Sequence, residues 1–177
     1  MTLILKLLRS WVADQRPLMK KSFLFSAFLS LAISVYSQKI IKIKVNELET
    51  IINASLNPLV ITFWATWCTP CIEEIPYFQE VVKKYGRSNV ELLMVSLDFP
   101  KAYPNQIQAF TKKKRITSKV VWLDETNADV FCPKIDDSWS GGIPATLFVN
   151  NKSNYRKFFE SRIPRKEFEK QINTLIK

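Results

Sequence analysis

The sequence predicts an α/β domain, a mixed sheet with a parallel centre and helices packed on it, and three observations carry that reading. Strand-length apolar runs at residues 59–64, 90–97 and 120–123 alternate with stretches of helical apolar spacing, which is the order of βαβ units. These runs are apolar on both faces, as buried central strands are. Further along, the apolar run ending at Val149 is separated by only a few residues from residues 155–160, the pattern of an antiparallel hairpin. At 177 residues, 47% hydrophobic and 24% charged, the chain holds one globular domain with a full core. It contains no internal repeat or low-complexity tract.

Met19-Lys20-Lys21 precedes an uncharged apolar run, residues 22–35, and Val35-Tyr36-Ser37 offers small residues at the −3 and −1 positions of a cleavage site. This is the pattern of a secretory signal peptide over residues 1–37, with a start at Met19 and a mature domain over residues 38–177. The rival reading is an uncleaved N-terminal membrane anchor, extended by Leu3-Ile4-Leu5 and Leu7-Leu8. No cysteine ends the apolar run, which argues against a lipoprotein. Either way the domain is expected outside the cytoplasm, in a periplasmic or equivalent oxidising space.

Ile41, Ile43 and Val45 alternate with Lys42 and Lys44 and predict a half-buried strand. Asn46-Glu47-Leu48-Glu49 reads as a capped helix start with an acidic first turn, placing Leu48, Ile51 and Ile52 on one face. After the Asn57-Pro58 break comes the first central strand. From Thr69 a helix carries Ile72, Ile75, Phe78, Val81, Val82 and Tyr85 at helical spacing and stops at Gly86. Pro70 fits its first turn, whereas Pro76 removes the bond to the Ile72 carbonyl and is expected to kink it. A helix with Ile107 and Phe110 inward follows the turn-rich residues 98–104. Residues 127–139 are poorly periodic and stay unassigned. The chain closes in a helix over residues 165–176 with Phe168, Ile172, Leu175 and Ile176 inward.

The formal charge is +10, but five basic groups and Asp14 lie in the first 37 residues, so the remainder carries +6. Its densest run, Lys112-Lys113-Lys114-Arg115, suits the negative end of a helix. No recognition motif or basic-aromatic platform accompanies the charge, so nucleic acid is not an expected partner.

The chemistry concentrates at Cys68-Thr69-Pro70-Cys71, where the run Val60-Ile61-Thr62-Phe63 gives way to a helix. Cys68 is expected at the helix N-terminus, where unpaired N–H groups and the positive dipole end favour a thiolate. Cys71, one turn in, is expected to be more buried, so the pair can cycle between dithiol and disulfide with Cys68 attacking and Cys71 resolving. Zinc would require four ligands; the chain has no His and one further cysteine, Cys132, so no metal site is expected. Cys132 itself reads as a structural cysteine.

Phe63-Trp64-Ala65-Thr66-Trp67-Cys68-Thr69-Pro70-Cys71, continued by Glu74 and Pro76, resembles the thioredoxin superfamily and, within it, the exported TlpA/ResA-like thiol-disulfide oxidoreductases. The resemblance implies a thioredoxin-like fold with an extra central element and an N-terminal strand. It further implies that Ile143-Pro144, after Gly141-Gly142 and 76 residues beyond Cys68, is the cis-proline loop that faces the thiols and receives an incoming cysteine-bearing chain as an added strand. Trp67, Thr69, Pro70, Ile143 and Pro144 are then the substrate-binding residues, and Trp64 belongs to the core. Trp139 either rims the same groove or anchors a loop.

Glu74 shares a helix face with Cys71. By resemblance it takes the proton from Cys71, provided burial raises its pKa toward neutrality; otherwise it is a solvated first-turn acid like Glu73. The acid that thioredoxins bury in the preceding strand is replaced by Thr62. The expected activity is reduction of protein disulfides without a bound cofactor, the redox-active Cys68–Cys71 pair being re-reduced by a membrane electron donor. The rivals are an oxidase or isomerase, a peroxidase, and a non-catalytic module that binds metal or a partner through its thiols.

Overall fold

The computed structural model describes residues 39–177, so the expected signal peptide or anchor lies outside the described residues. In chain order the elements are β1 (Ile41–Ile43), α1 (Val45–Ala54), β2 (Leu59–Trp64), α2 (Thr69–Lys84), β3 (Glu91–Ser96), α3 (Asn105–Lys113), β4 (Lys119–Leu123), α4 (Ala128–Ile135), β5 (Ala145–Asn150), β6 (Tyr155–Phe159) and α5 (Arg165–Leu175). Short 3-10 turns at Gly86–Ser88 and Pro100–Ala102 complete the connections. The strands form one sheet in the order β1-β4-β3-β2-β5-β6. Neighbours from β1 to β2 are parallel, and β2–β5 and β5–β6 are antiparallel. The α/β mixed sheet expected from the sequence is borne out.

All six residues of β2 are buried, because the strand has a neighbour on each edge and helices on both faces. Its alternation splits the core in two. Val60 and Trp64 face α2, α3 and α5 with Phe78, Ile107, Phe168 and Ile172. Leu59, Ile61 and Phe63 face α1 and α4 with Leu48, Ile52, Phe131 and Ile135. The rings of Phe78 and Phe168 stack at 3.9 Å and fasten α5 across α2.

Several local expectations are corrected. Ile41 is 50% exposed and Ile40 is buried in its place, because β1 is a three-residue edge strand whose outer side meets water. The first helix starts at Val45, with Lys44 as N-cap and Glu47 accepting a bond from the Lys44 N–H at 2.8 Å. Residues 128–135 form α4: the Asn127 side chain caps it at the Asp129 N–H, and burial of Phe131, Cys132 and Ile135 outweighs Pro133 in its interior. α2 extends to Lys84 through Pro76, as the sequence placed it, with the proline on its exposed side.

The register fixes where the functional residues gather. Trp64 pairs with Ser96, Phe63 with Ala145, and Thr146 with Phe159. The carboxyl ends of β2, β3 and β6 and the amino end of β5 therefore lie at one end of the sheet, the end at which open α/β sheets build their sites.

Candidate active site

β2 ends at Trp64, and a turn closed by the Cys68 N–H on the Ala65 carbonyl, 3.1 Å, carries the chain into α2. Cys68 is the N-cap of that helix, and its sulfur accepts the Cys71 N–H at 3.3 Å. A sulfur in this position occupies an otherwise unpaired helix donor at the positive end of the dipole, so a thiolate there is stabilised twice. The two cysteines are joined as a disulfide with Cα atoms 5.3 Å apart. Cys71 is the more enclosed of the two, 2% exposed against 5%. Thr69 and Pro70 lie on the surface. Trp67 stands 57% exposed beside them, with its ring stacked on that of Phe99 at 6.0 Å, while Trp64 is fully buried.

Glu74 follows Cys71 by three residues on the buried stripe of α2, together with Ile75, Phe78 and Val81. It is only 1% exposed, which settles the question left open by its sequence position: it is not a solvated acid. Its Oε1 accepts the backbone N–H of Ile163 at 2.5 Å, and its Oε2 has no hydrogen-bond partner among the described residues. Loss of solvation pushes its pKa from 4.5 up to about 7, against the opposing pull of the Ile163 N–H, the Arg162 charge and the Tyr77 hydroxyl. Glu73, by contrast, is half-exposed and pairs with Arg162 at 2.9 Å.

The loop that presents the thiols is clamped from β3. Asp98, 4% exposed, accepts the Thr66 N–H on both oxygens at 3.1 Å, the Thr66 hydroxyl at 2.6 Å and the Ser96 hydroxyl at 2.8 Å. The Trp122 indole N–H holds the Asp98 carbonyl at 2.8 Å. Asp98 reads from the sequence only as part of a turn; its place just past the carboxyl end of a central strand is the signal that marks it.

On the other side of β2, the Ile143–Pro144 peptide bond is cis, and Pro144 is buried where β5 begins. Ile143 lies outside the β2–β5 ladder, which starts at Ala145, and packs against both cores. Trp139 is a loop anchor, 4% exposed, with its ring against Phe63 at 4.3 Å and its indole N–H on the Gly142 carbonyl at 2.9 Å. Cys132 is a free, buried thiol. Burial first, and then the charges of Glu160 and Asp129, push its pKa up to about 11, so it is a packing residue. Among the described residues no cluster of three or more Cys, Asp or Glu is placed to hold a metal ion.

A disulfide capping the helix after a central strand, with a cis-proline on the neighbouring strand at the same end of the sheet, defines a thioredoxin-like disulfide domain. The chain belongs to the AhpC/TSA family, whose model matches residues 34–157 and so includes both thiols, Glu74 and Pro144. The thiol-disulfide oxidoreductase ResA of Geobacillus kaustophilus is 23% identical to it over 115 residues, 65% of this chain. The match spans 61% of that relative's length, less than two thirds of it. ResA of Oceanobacillus iheyensis is 48% identical over 40 residues, 23% of this chain and 21% of the relative. The resemblance read from the sequence therefore stands.

Among solved structures, a thioredoxin-family thiol:disulfide interchange protein from Chlorobium tepidum superposes with a TM-score of 0.55 at 18% identity, covering 68% of this chain and 81% of its own. StoA from Bacillus subtilis superposes with a TM-score of 0.51 at 22% identity, covering 68% and 86%. At these identities the two structures establish the shared fold.

Proposed function

We propose that this protein is an extracytoplasmic thiol-disulfide oxidoreductase that reduces disulfides in client proteins, cycling between the Cys68–Cys71 dithiol and disulfide. The observation that carries the reading is the pairing of two features on α2: a sulfur that caps the helix and a carboxyl buried one turn beyond the second sulfur.

In the reduced protein the Cys68 thiolate attacks one sulfur of a client disulfide. The client S–S bond breaks, a Cys68–client mixed disulfide forms, and the other client sulfur leaves as a thiolate that takes a proton from water. Cys71 then transfers its proton to Glu74 and attacks the Cys68 sulfur, closing the Cys68–Cys71 disulfide and expelling the second client sulfur as a thiolate, which also takes a proton from water. Two electrons pass from the protein to the client, and an external dithiol, supplied by a membrane electron donor, returns them. Glu74 suits this step because a carboxyl with a pKa of about 7 accepts a proton near neutral pH and gives it up again during re-reduction. Trp67, Thr69 and Pro70 form the client-facing surface on one side, and Ile143 and Pro144 offer backbone for an added strand on the other. Similarity to ResA supports the disulfide chemistry, and the signal-peptide or anchor pattern of residues 1–37 supports export.

Trapping tests the mechanism. Cys71→Ala should accumulate a mixed disulfide at Cys68 when mixed with an oxidised client such as insulin, detected as a mass adduct lost on adding dithiothreitol. Absence of the adduct, while Cys68 remains alkylatable, refutes it. The direction is tested by equilibrium with glutathione, where reduction requires a potential toward the thioredoxin end of the range, about −270 mV, and a value near about −120 mV assigns oxidation instead.

A further inference from the structure

Glu160, just past the end of β6, is an acid with no established part in this chemistry, and its partners all lie in one place. Its Oε2 accepts the Ser140 N–H at 2.9 Å, and its Oε1 accepts the Ser140 hydroxyl at 2.5 Å and the Gly142 N–H at 2.7 Å. Among the described residues no Lys or Arg forms an ion pair with it. Burial pushes its pKa up, but these three bonds outweigh that and hold the carboxyl below its ordinary value, so it is charged at neutral pH. The backbone of Gly142 is thus gripped on both flanking peptides, its N–H by Glu160 and its carbonyl by the Trp139 indole. The next residue is Ile143, outside the sheet ladder and immediately before the cis-proline. Gly142 is matched to the carboxylate: a Cβ there would meet Glu160 Oε1 at 2.8 Å, so the absent side chain leaves the space that the acid fills.

We propose that Glu160 is a positioning residue for protein clients: its carboxylate sets the backbone of the Ser140–Gly142 segment so that Ile143 presents its peptide edge to the client chain. The inference rests on the reductase reading and adds the group that shapes its client-binding loop. A client polypeptide lies along that edge, whereas a small disulfide reaches Cys68 without it. Loss of the clamp therefore affects the binding of chains and not the exchange of sulfur.

The test uses the full chain and four proteins: wild type, Glu160→Ala, Gly142→Ala and the double variant. Each reduces insulin and, separately, oxidised glutathione. Gly142→Ala displaces the carboxylate while keeping its charge, and the atom it strikes is the end of a flexible side chain, so the fold is retained even if Glu160→Ala proves unstable. Each single variant should raise KM for insulin about tenfold, equivalent to about 1.4 kcal/mol, with kcat within twofold. The rate constant with oxidised glutathione should stay within twofold. The double variant should match Glu160→Ala, because both changes remove the same contact. Equal losses with both substrates, no change in KM, or a hundredfold effect in the double variant overturns the proposal. A wild type that reduces neither substrate overturns the reductase reading itself.

Discussion

Replacing Glu74 by glutamine isolates the buried carboxyl of α2, and the consequence for stability follows from its environment. In the folded chain Glu74 is buried, with one oxygen on the Ile163 N–H and the other without a partner among the described residues, and its pKa stands at about 7 against an ordinary 4.5. A raised carboxyl pKa means that folding favours the neutral acid. The contribution of the group is therefore fully retained below pH 4.5 and is lost as pH rises toward 7, where the unfolded chain ionises freely and the folded chain does not. The 2.5-unit difference corresponds to about 3 kcal/mol. The side chain introduced by Glu74→Gln does not titrate. Its amide keeps an acceptor for Ile163 and places an N–H pair where Oε2 lacked a partner, an offset of about 1–3 kcal/mol that does not vary with pH.

The stability of the variant relative to wild type should thus improve by about 3 kcal/mol between pH 4 and pH 8, with most of the change between pH 5 and 7. Urea unfolding of both oxidised proteins at intervals across that range measures it. Carboxyls with lowered pKa values, such as Glu80, Asp124 and Glu167, lose their contributions as pH falls, but they do so in both proteins and cancel. A difference that stays flat with pH would falsify the buried-acid assignment, whatever its absolute size.

Asp98→Ala should destabilise the oxidised protein by roughly 3 kcal/mol in urea unfolding, because the Thr66 N–H and hydroxyl and the Ser96 hydroxyl lose a charged acceptor in a buried setting. A loss below about 0.5 kcal/mol would mean that water replaces the carboxylate and that the loop needs no clamp. Cys132 should resist iodoacetamide in the folded, oxidised protein at pH 8, since burial and a pKa of about 11 leave roughly one thiol in a thousand ionised. It should label at an ordinary rate in urea. Rapid labelling without denaturant would contradict its placement between α4 and the sheet.

The two loops that flank the disulfide are built alike. Each approaches from the same end of the sheet, and each has its backbone N–H groups held by a carboxylate from the end of a neighbouring strand, Asp98 beyond β3 and Glu160 beyond β6. Carboxylates suit the task because one group accepts several donors at once and the bonds are charge-assisted. The clamp on the thiol loop is the more enclosed, Asp98 being buried and Glu160 partly exposed.

Residue order alone carries the short-range part of this molecule: where apolar runs make strands, where a helix begins, and that two sulfurs three residues apart fall on its first turn. Alternation and helical spacing are properties of neighbouring residues, so 59–64, 69–84 and the closing helix were legible almost to the residue. α4 was not, because Pro133 and Cys132 hide a period that only burial of Phe131 and Ile135 against the sheet enforces. Tertiary structure alone decided which acids matter. Helical spacing puts Glu74, and not Glu73, on the face of Cys71, but leaves open whether it is buried; the two part because Ile163, 89 residues further on, closes over Glu74 and Arg162 pairs with Glu73 in solvent. Asp98 and Glu160 likewise meet their donors 32 and 18–20 residues away. A carboxyl's solvation, and with it its proton affinity, is set by whatever the folded chain brings across it, and that information has no local period to read.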